Sequence, residues 1–281
     1  MSDTVMLAVL GAALLHAIWN ALVKGSSDKT LGMLAVVVGQ GLAGVAVLPF
    51  VDAPSIASLP WLLASIALHL GYQFTLVQAY RFGDLSQVYP IARGSAPLIV
   101  TVVSIVFLGV ALSGLQLIAV LLIVVGVTSV CLVRRGDGTF NGAAASCALV
   151  TGVFIASYSL VDGIGARQSG SALGFYGWLA IGNALVVLLA SPGMRTGILH
   201  DLVFSAKRTT VFGGGASFVA YALVVWAFTQ APIALVTALR ETSIVFALLI
   251  GVFHLKERLS LLKFAATVST VLGAVTLRFA R

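Results

Sequence analysis

Residues 88–100 read VYPIARGSAPLIV, and residues 235–249 read LVTALRETSIVFALL. Each places one arginine, Arg93 or Arg240, inside an apolar run of membrane length, and the two stand 147 residues apart. A charge at mid-bilayer depth costs roughly 3 kcal/mol on insertion scales. A chain that holds two such charges needs polar surroundings for them inside a helical bundle. The pair therefore points to spans that line a pathway for a small polar molecule.

The composition around these stretches agrees. The 281 residues are 60% hydrophobic and 9% charged, with a mean hydropathy of +1.10, whereas a soluble domain carries about 25% charged residues. The class that follows is an integral protein of the lipid bilayer. Its apolar runs are continuous and do not alternate in the segments of about 10 residues that a membrane β-barrel needs, so the spans are α-helices of about 20 residues. The net charge of +7 does not mark a nucleic-acid partner, because the Lys and Arg residues sit in short turns between spans. Cys131 and Cys147 fall in or beside apolar runs and read as small packing residues. Neither a cofactor motif nor a metal-ligand spacing is present. HExxH, GxSxG and Walker patterns are absent, so no enzyme class is indicated. Gly213-Gly-Gly215 reads as close packing or a flexible point. The first run begins near Thr4 with no basic residue before it and keeps His16, Trp19, Asn20 and Lys24, which suits a retained helix better than a cleaved signal.

Ten helices are predicted, over 4–24, 31–51, 60–80, 86–109, 113–133, 142–162, 171–190, 209–229, 232–254 and 260–279. Shifting residues 79–134 by 147 positions superposes them on 226–281 with nine identities in 56 positions, among them Arg93 on Arg240, Ala119 on Ala266 and Gly126 on Gly273. The repeat unit is thus about five helices, 1–135 and 140–281, within one compact membrane domain. Five is odd, so the second unit enters the bilayer from the opposite side. The expected architecture is all-α, two inverted five-helix repeats around a central cavity. Turns after the odd-numbered helices hold eleven Lys or Arg residues against three on the other face, which places the odd turns in the cytoplasm and both termini outside. Ala35, Gly39 and Ala43, four apart, form a stripe along which a neighbouring helix can pack closely.

Polar side chains on these helices must face protein or water. His16, Asn20 and Lys24 share one helical face, with Trp19 beside them. They suit either a cavity wall or, in turn, helix–helix hydrogen bonds and a snorkelling end charge. His69, Tyr72, Gln73 and Tyr80 form a second stripe, and Tyr158 and Tyr221 add phenols from later helices. On the fourth helix Tyr89 and Arg93 lie among Pro90 and Pro97, which remove backbone donors and free carbonyls. Arg93 suits a substrate carboxylate through its planar fork, or an ion pair locking two helices. Glu241 is read as the one carboxylate deep in a span, with Asp162 assigned to a helix end. Arg240 and Glu241 diverge by about 100°, so Glu241 is expected to seek Arg93 or Lys24 on another helix. Arg240 is expected to be structural or gating, and Arg93 to touch substrate.

Three stretches carry a family resemblance: LHAIWNALVKGSSDK (15–29), YPIARGSAPL (89–98) and LRETSIVFALLIGVFHLKERLS (239–260). Together they resemble the EamA-type proteins of the drug/metabolite transporter superfamily, over essentially the whole chain. The resemblance implies a multi-pass protein of the inner (plasma) membrane, monomeric or homodimeric. It implies a basket of ten helices and a secondary transporter exporting small metabolites, amino acids above all, by alternating access; the aromatic and amide side chains of the expected cavity suit amino acids with apolar or aromatic side chains. Efflux of lipophilic cations is the alternative, and lipid-linked-sugar flipping or membrane enzymology is a more remote one. The helix-one acid through which small four-helix relatives couple protons has no counterpart here, and His16 stands in that region. The charged turn Lys256-Glu-Arg258 has no counterpart in the first half, where Gly109-Val-Ala111 stands.

Overall fold

The computed structural model describes residues 1–26, 28–82, 85–129, 141–190, 198–253 and 261–280. Regular structure among them is helical throughout. In chain order the helices are α1 (Asp3–Lys24), α2 (Lys29–Val47), α3 (Leu59–Phe82), α4 (Leu85–Val106), α5 (Gly114–Ser129), α6 (Gly142–Ser169), α7 (Ala172–Ala190), α8 (Ile198–Phe204), α9 (Gly214–Gln230), α10 (Ile233–Arg240), α11 (Ser243–Phe253) and α12 (Leu261–Phe279). A π-helical stretch, Thr209–Gly213, leads into α9. Seven helical stretches are long and apolar enough to cross a membrane, and three further apolar helices are shorter. The protein is therefore an all-α, multi-pass membrane protein. Its exposed side chains include large apolar ones that a soluble protein would bury, Leu7, Phe74, Phe107 and Phe253 among them.

Local chemistry sets the helix ends. Asp28 accepts from the N–H groups of Thr30 and Leu31 at 2.8 and 3.1 Å and starts α2. Asn141 does the same for α6 through Ala143 and Ala144, as N-caps do. Gly170, at φ +73°, ends α6 in the left-handed conformation that favours glycine.

Two predicted boundaries change. α6 runs on to Ser169 instead of stopping at 162. Gly163 and Gly165, just past the predicted end, are packing positions: a Cβ at Gly163 would fall 2.5 Å from Ile233 Cδ1, and one at Gly165 would fall 2.6 Å from the Phe175 ring. Asp162 is thereby moved from a helix end to a helix interior. The second change is in the predicted helix 232–254, which is broken into α10 and α11. Around Glu241 the backbone bonds shorten to an i→i−3 pattern, and Thr242 Oγ1 also donates to Leu239 O at 2.7 Å. A threonine hydroxyl that takes a helical carbonyl competes with the ladder.

α3 packs against α6, α4 against α6, α2 against α7, α1 against α9 and α11, and α5 against α12. The small-residue stripe on α2 works as expected: Ala35 is buried, and Gly39 meets Gly214 of α9 backbone to backbone. α5 and α12 meet through a reciprocal contact. A Cβ at Gly126 would lie 2.7 Å from Ala266 O, and one at Gly273 would lie 2.7 Å from Ala119 O. Because 126 touches 266 while 119 touches 273, the two helices run antiparallel. Leucine at Gly126 or Gly273 is expected to destabilise the fold by about 1–3 kcal/mol through overpacking, read as a lower unfolding midpoint in detergent. Leucine at Gly215, where a Cβ meets nothing within 4 Å, is expected to leave that midpoint unchanged.

Candidate functional site

The centre of the bundle encloses a cavity of about 120 Å³. α1 supplies His16 and Trp19, α3 supplies His69, Tyr72 and Gln73, and α4, α6, α9 and α10 supply Arg93, Tyr158, Tyr221 and Arg240. α7 adds Tyr176 and Asn183, whose aromatic and amide side chains belong with the same set, and α2 adds Gln40, a residue with no predicted role. A separate shallow depression near Arg167, Gly170 and Thr229 opens at one end of α6 and α9. Arg167 there closes the end of α9 by donating to Phe228 O and Ala231 O at 2.8 and 2.9 Å.

Of the predicted site residues, nine border this cavity: His16, Trp19, His69, Tyr72, Gln73, Arg93, Tyr158, Tyr221 and Arg240. Asn20 does not; its amide turns back to donate to His16 O at 2.7 Å. Glu241 lies behind the wall. The side chains of Lys24, Tyr80 and Tyr89 lie outside the described residues.

Three interactions organise the site. First, Arg93 Nε donates to Glu241 Oε2 at 3.0 Å, with both residues buried. Second, Arg240 Nη2 donates to Tyr158 OH at 3.3 Å, and its guanidinium carbon lies 5.6 Å from the Tyr221 ring centroid, within the range of a cation–π contact. Its Nε and Nη1 are buried without a hydrogen-bond partner among the described residues, as is Glu241 Oε1. Third, Asp162 is fully buried; Ser65 Oγ donates to its Oδ1 and Tyr221 OH to its Oδ2, the latter at 2.5 Å. Glu241 is thus not the one carboxylate deep in the bundle. Asp162 is a second, and it was misplaced because its helix was ended seven residues early. The signal for it was its position one helical turn beyond Tyr158 and Ser159, on the face that carries them.

Helix ends favour the two charges at the α10–α11 break. Arg240 closes α10, where the macrodipole favours a cation, and Glu241 precedes α11, where it favours an anion. Amide contacts complete the wall: Gln40 Nε2 donates to Ser217 Oγ at 2.7 Å, and Gln73 Nε2 to Asn183 Oδ1 at 3.4 Å. Four tyrosine rings meet in sequence, Tyr72 with Tyr158 at 5.7 Å, Tyr158 with Tyr221 at 6.2 Å and Tyr221 with Tyr176 at 5.2 Å between centroids. No group of three or more His, Cys, Asp or Glu side chains able to hold a metal occurs among the described residues.

Removing one partner of the buried pair strands the other charge, at a cost of roughly 3–5 kcal/mol. Glu241→Gln alone is expected to lower the unfolding midpoint sharply, and the double variant Arg93→Gln/Glu241→Gln to recover most of the loss. A single variant as stable as the parent would show that the pair does not hold the bundle.

No family model matches the sequence, and no curated protein matches it. The fold is shared with solved structures. One crystal structure aligns over 100% of this chain and 99% of its own, with a TM-score of 0.76 at 19% identity, which makes the architecture, and only the architecture, common to both.

Proposed function

We propose that the protein is a secondary transporter of the drug/metabolite type. In this reading it exports small metabolites, amino acids foremost, across the inner membrane by alternating access. Ten membrane helices form two inverted five-helix repeats, with α10 and α11 together as the ninth.

Several features support the repeat. Exchanging the halves maps α1 on α6, α2 on α7, α3 on α9, α4 on α10–α11 and α5 on α12. The packing list survives that exchange: α3 on α6 corresponds to α1 on α9, α4 on α6 to α11 on α1, and α2–α7 and α5–α12 map on themselves. The antiparallel contact of Gly126 and Gly273 is what a two-fold axis perpendicular to the helices produces, and such an axis inverts one half relative to the other. Ser269 Oγ also donates to Leu122 O at 2.8 Å, across the same 147-residue offset. A helix broken at mid-bundle, its charged ends beside a cavity, is a recurrent substrate-site design in inverted-repeat transporters.

The observation that carries the substrate reading is Arg240. It borders the cavity, and its buried Nε and Nη1 have no hydrogen-bond partner among the described residues, a desolvation cost that a substrate carboxylate would relieve. Arg93 also borders the cavity, but its Nε is held by the Glu241 carboxylate, so in this reading Arg240 takes the anion-binding role. Tyrosine rings and amides offer an amino acid's remaining groups apolar faces and hydrogen bonds. Cation efflux calls for an unpaired carboxylate on the wall. Glu241 is instead held by Arg93 and Asp162 by Ser65 and Tyr221, and neither borders the cavity. At about 120 Å³ the cavity is smaller than the roughly 300–1,000 Å³ of open ligand pockets.

Proteoliposomes are expected to show amino-acid counterflow, with Arg240→Gln weakening it at least about tenfold, since a hydrogen bond to a charged group contributes roughly 1.5–3 kcal/mol. Vesicles that exchange another metabolite class and no amino acid would overturn the substrate assignment.

A further inference from the structure

Behind the cavity wall a carboxylate and an imidazole face each other with room for one proton between them. His69 Nε2 stands 3.9 Å from Asp162 Oδ2. The tautomer of His69 follows from its other nitrogen. Nδ1 lies 3.0 Å from the Ser65 carbonyl oxygen and 3.2 Å from Ser65 Oγ. A carbonyl only accepts, and the Ser65 hydroxyl hydrogen is given to Asp162, so Nδ1 carries the hydrogen. On a neutral ring Nε2 is then a lone pair opposite a carboxylate oxygen. Two acceptors so placed repel until a proton enters between them.

The surroundings give that proton a route. His69 borders the cavity and Asp162 does not, so a proton from cavity water meets the imidazole first. The imidazole lies against Tyr158 with ring centroids 4.1 Å apart and planes at 27°, an aromatic face that attracts a cationic ring. The elements packed on α6 present few other charges. α9 gives Tyr221, which donates to Asp162. α7 gives Tyr176, whose ring meets that of Tyr221, and α4 gives Arg93, engaged by Glu241. α10 gives Arg240, which donates to Tyr158 and sits over Tyr221. The carboxylate–imidazole pair and the cationic end of the cavity therefore share both tyrosines.

We propose that His69 and Asp162 form a proton-binding dyad linked to the anion site at Arg240, so that uptake of one proton strengthens binding of a substrate carboxylate. The proton adds to Nε2 or Oδ2, no other covalent bond changes, and the cluster gains one positive charge. Before uptake the Asp162 carboxylate partly offsets Arg240 across Tyr221. Afterwards that offset is gone and Arg240 attracts another anion more strongly. Linkage is reciprocal, so carboxylate binding draws a proton in. The link to substrate rests on the transport reading above; the dyad itself does not.

Two measurements separate them. Infrared difference spectra of purified protein without substrate, between mildly alkaline and mildly acidic buffer, are expected to show a carboxylic-acid or imidazolium band. That band is expected to vanish in both Asp162→Asn and His69→Gln, so that if one variant does not fold the other still answers. No such band, or a band unchanged in the folded variants, overturns the dyad. The second measurement is calorimetric titration with L-phenylalanine, with phenethylamine as the carboxylate-free arm. Affinity for L-phenylalanine is expected to rise about tenfold on acidification, within the usual span of coupling energies, with proton uptake on binding. Asp162→Asn is expected to lose the pH dependence, and phenethylamine to lack it. PH-independent binding of L-phenylalanine overturns the link and leaves the infrared result standing. If no amino acid binds while the band is present, the substrate reading fails and the dyad stands.

Discussion

The ion pair between Arg93 and Glu241 is the constraint on which the centre of this protein depends. Two charges buried in a bundle surrounded by lipid cannot be left singly, so the pair ties α4 to the break between α10 and α11. It also decides what remains available. With Glu241 hydrogen-bonded to Arg93, the contacts of the Arg240 guanidinium among the described residues are a hydrogen bond to one phenol and the face of another. One carboxylate shared between two neighbouring guanidinium groups would neutralise neither cleanly. Hydrogen-bonded to Arg93 alone, it leaves Arg240, in the proposed reading, as the cation offered to the cavity.

The tyrosines are the second layer of that arrangement. Each offers an apolar ring and a polar tip, so one side chain can face the cavity and still satisfy a buried group behind it. Tyr221 does both, bordering the cavity and donating to Asp162. Tyr158 stacks on His69 and accepts from Arg240. The two rings thus stand between the Asp162–His69 side and the Arg240 side, which is the contact the proposed linkage uses.

The class and most of the helices were legible because long apolar runs have one structural solution in lipid. The cavity stripe on α3 was legible because His69, Tyr72 and Gln73 share a helical face that no lipid could satisfy. Asp162 was hidden by local chemistry. Asp-Gly-Ile-Gly reads as a turn when its neighbours are unknown, and only the ring of Phe175 and the side chain of Ile233, pressed into the missing Cβ positions, explain why the helix continues through it. The break at Glu241 was hidden for the opposite reason. Nothing in Leu-Arg-Glu-Thr-Ser prohibits a helix, and the hydroxyl of Thr242 tips a balance of small terms. The division of labour between the arginines turned on side-chain direction, which spacing along one helix leaves open when the partner sits on another.

The crossing of α5 and α12 has a further consequence. Because Gly126 meets the carbonyl of Ala266 and Gly273 meets that of Ala119, with glycine and alanine at equivalent positions on both helices, the surface that either helix presents is close to complementary to itself. A seam of this kind matches one copy of a sequence to another as readily as it matches two halves of one chain.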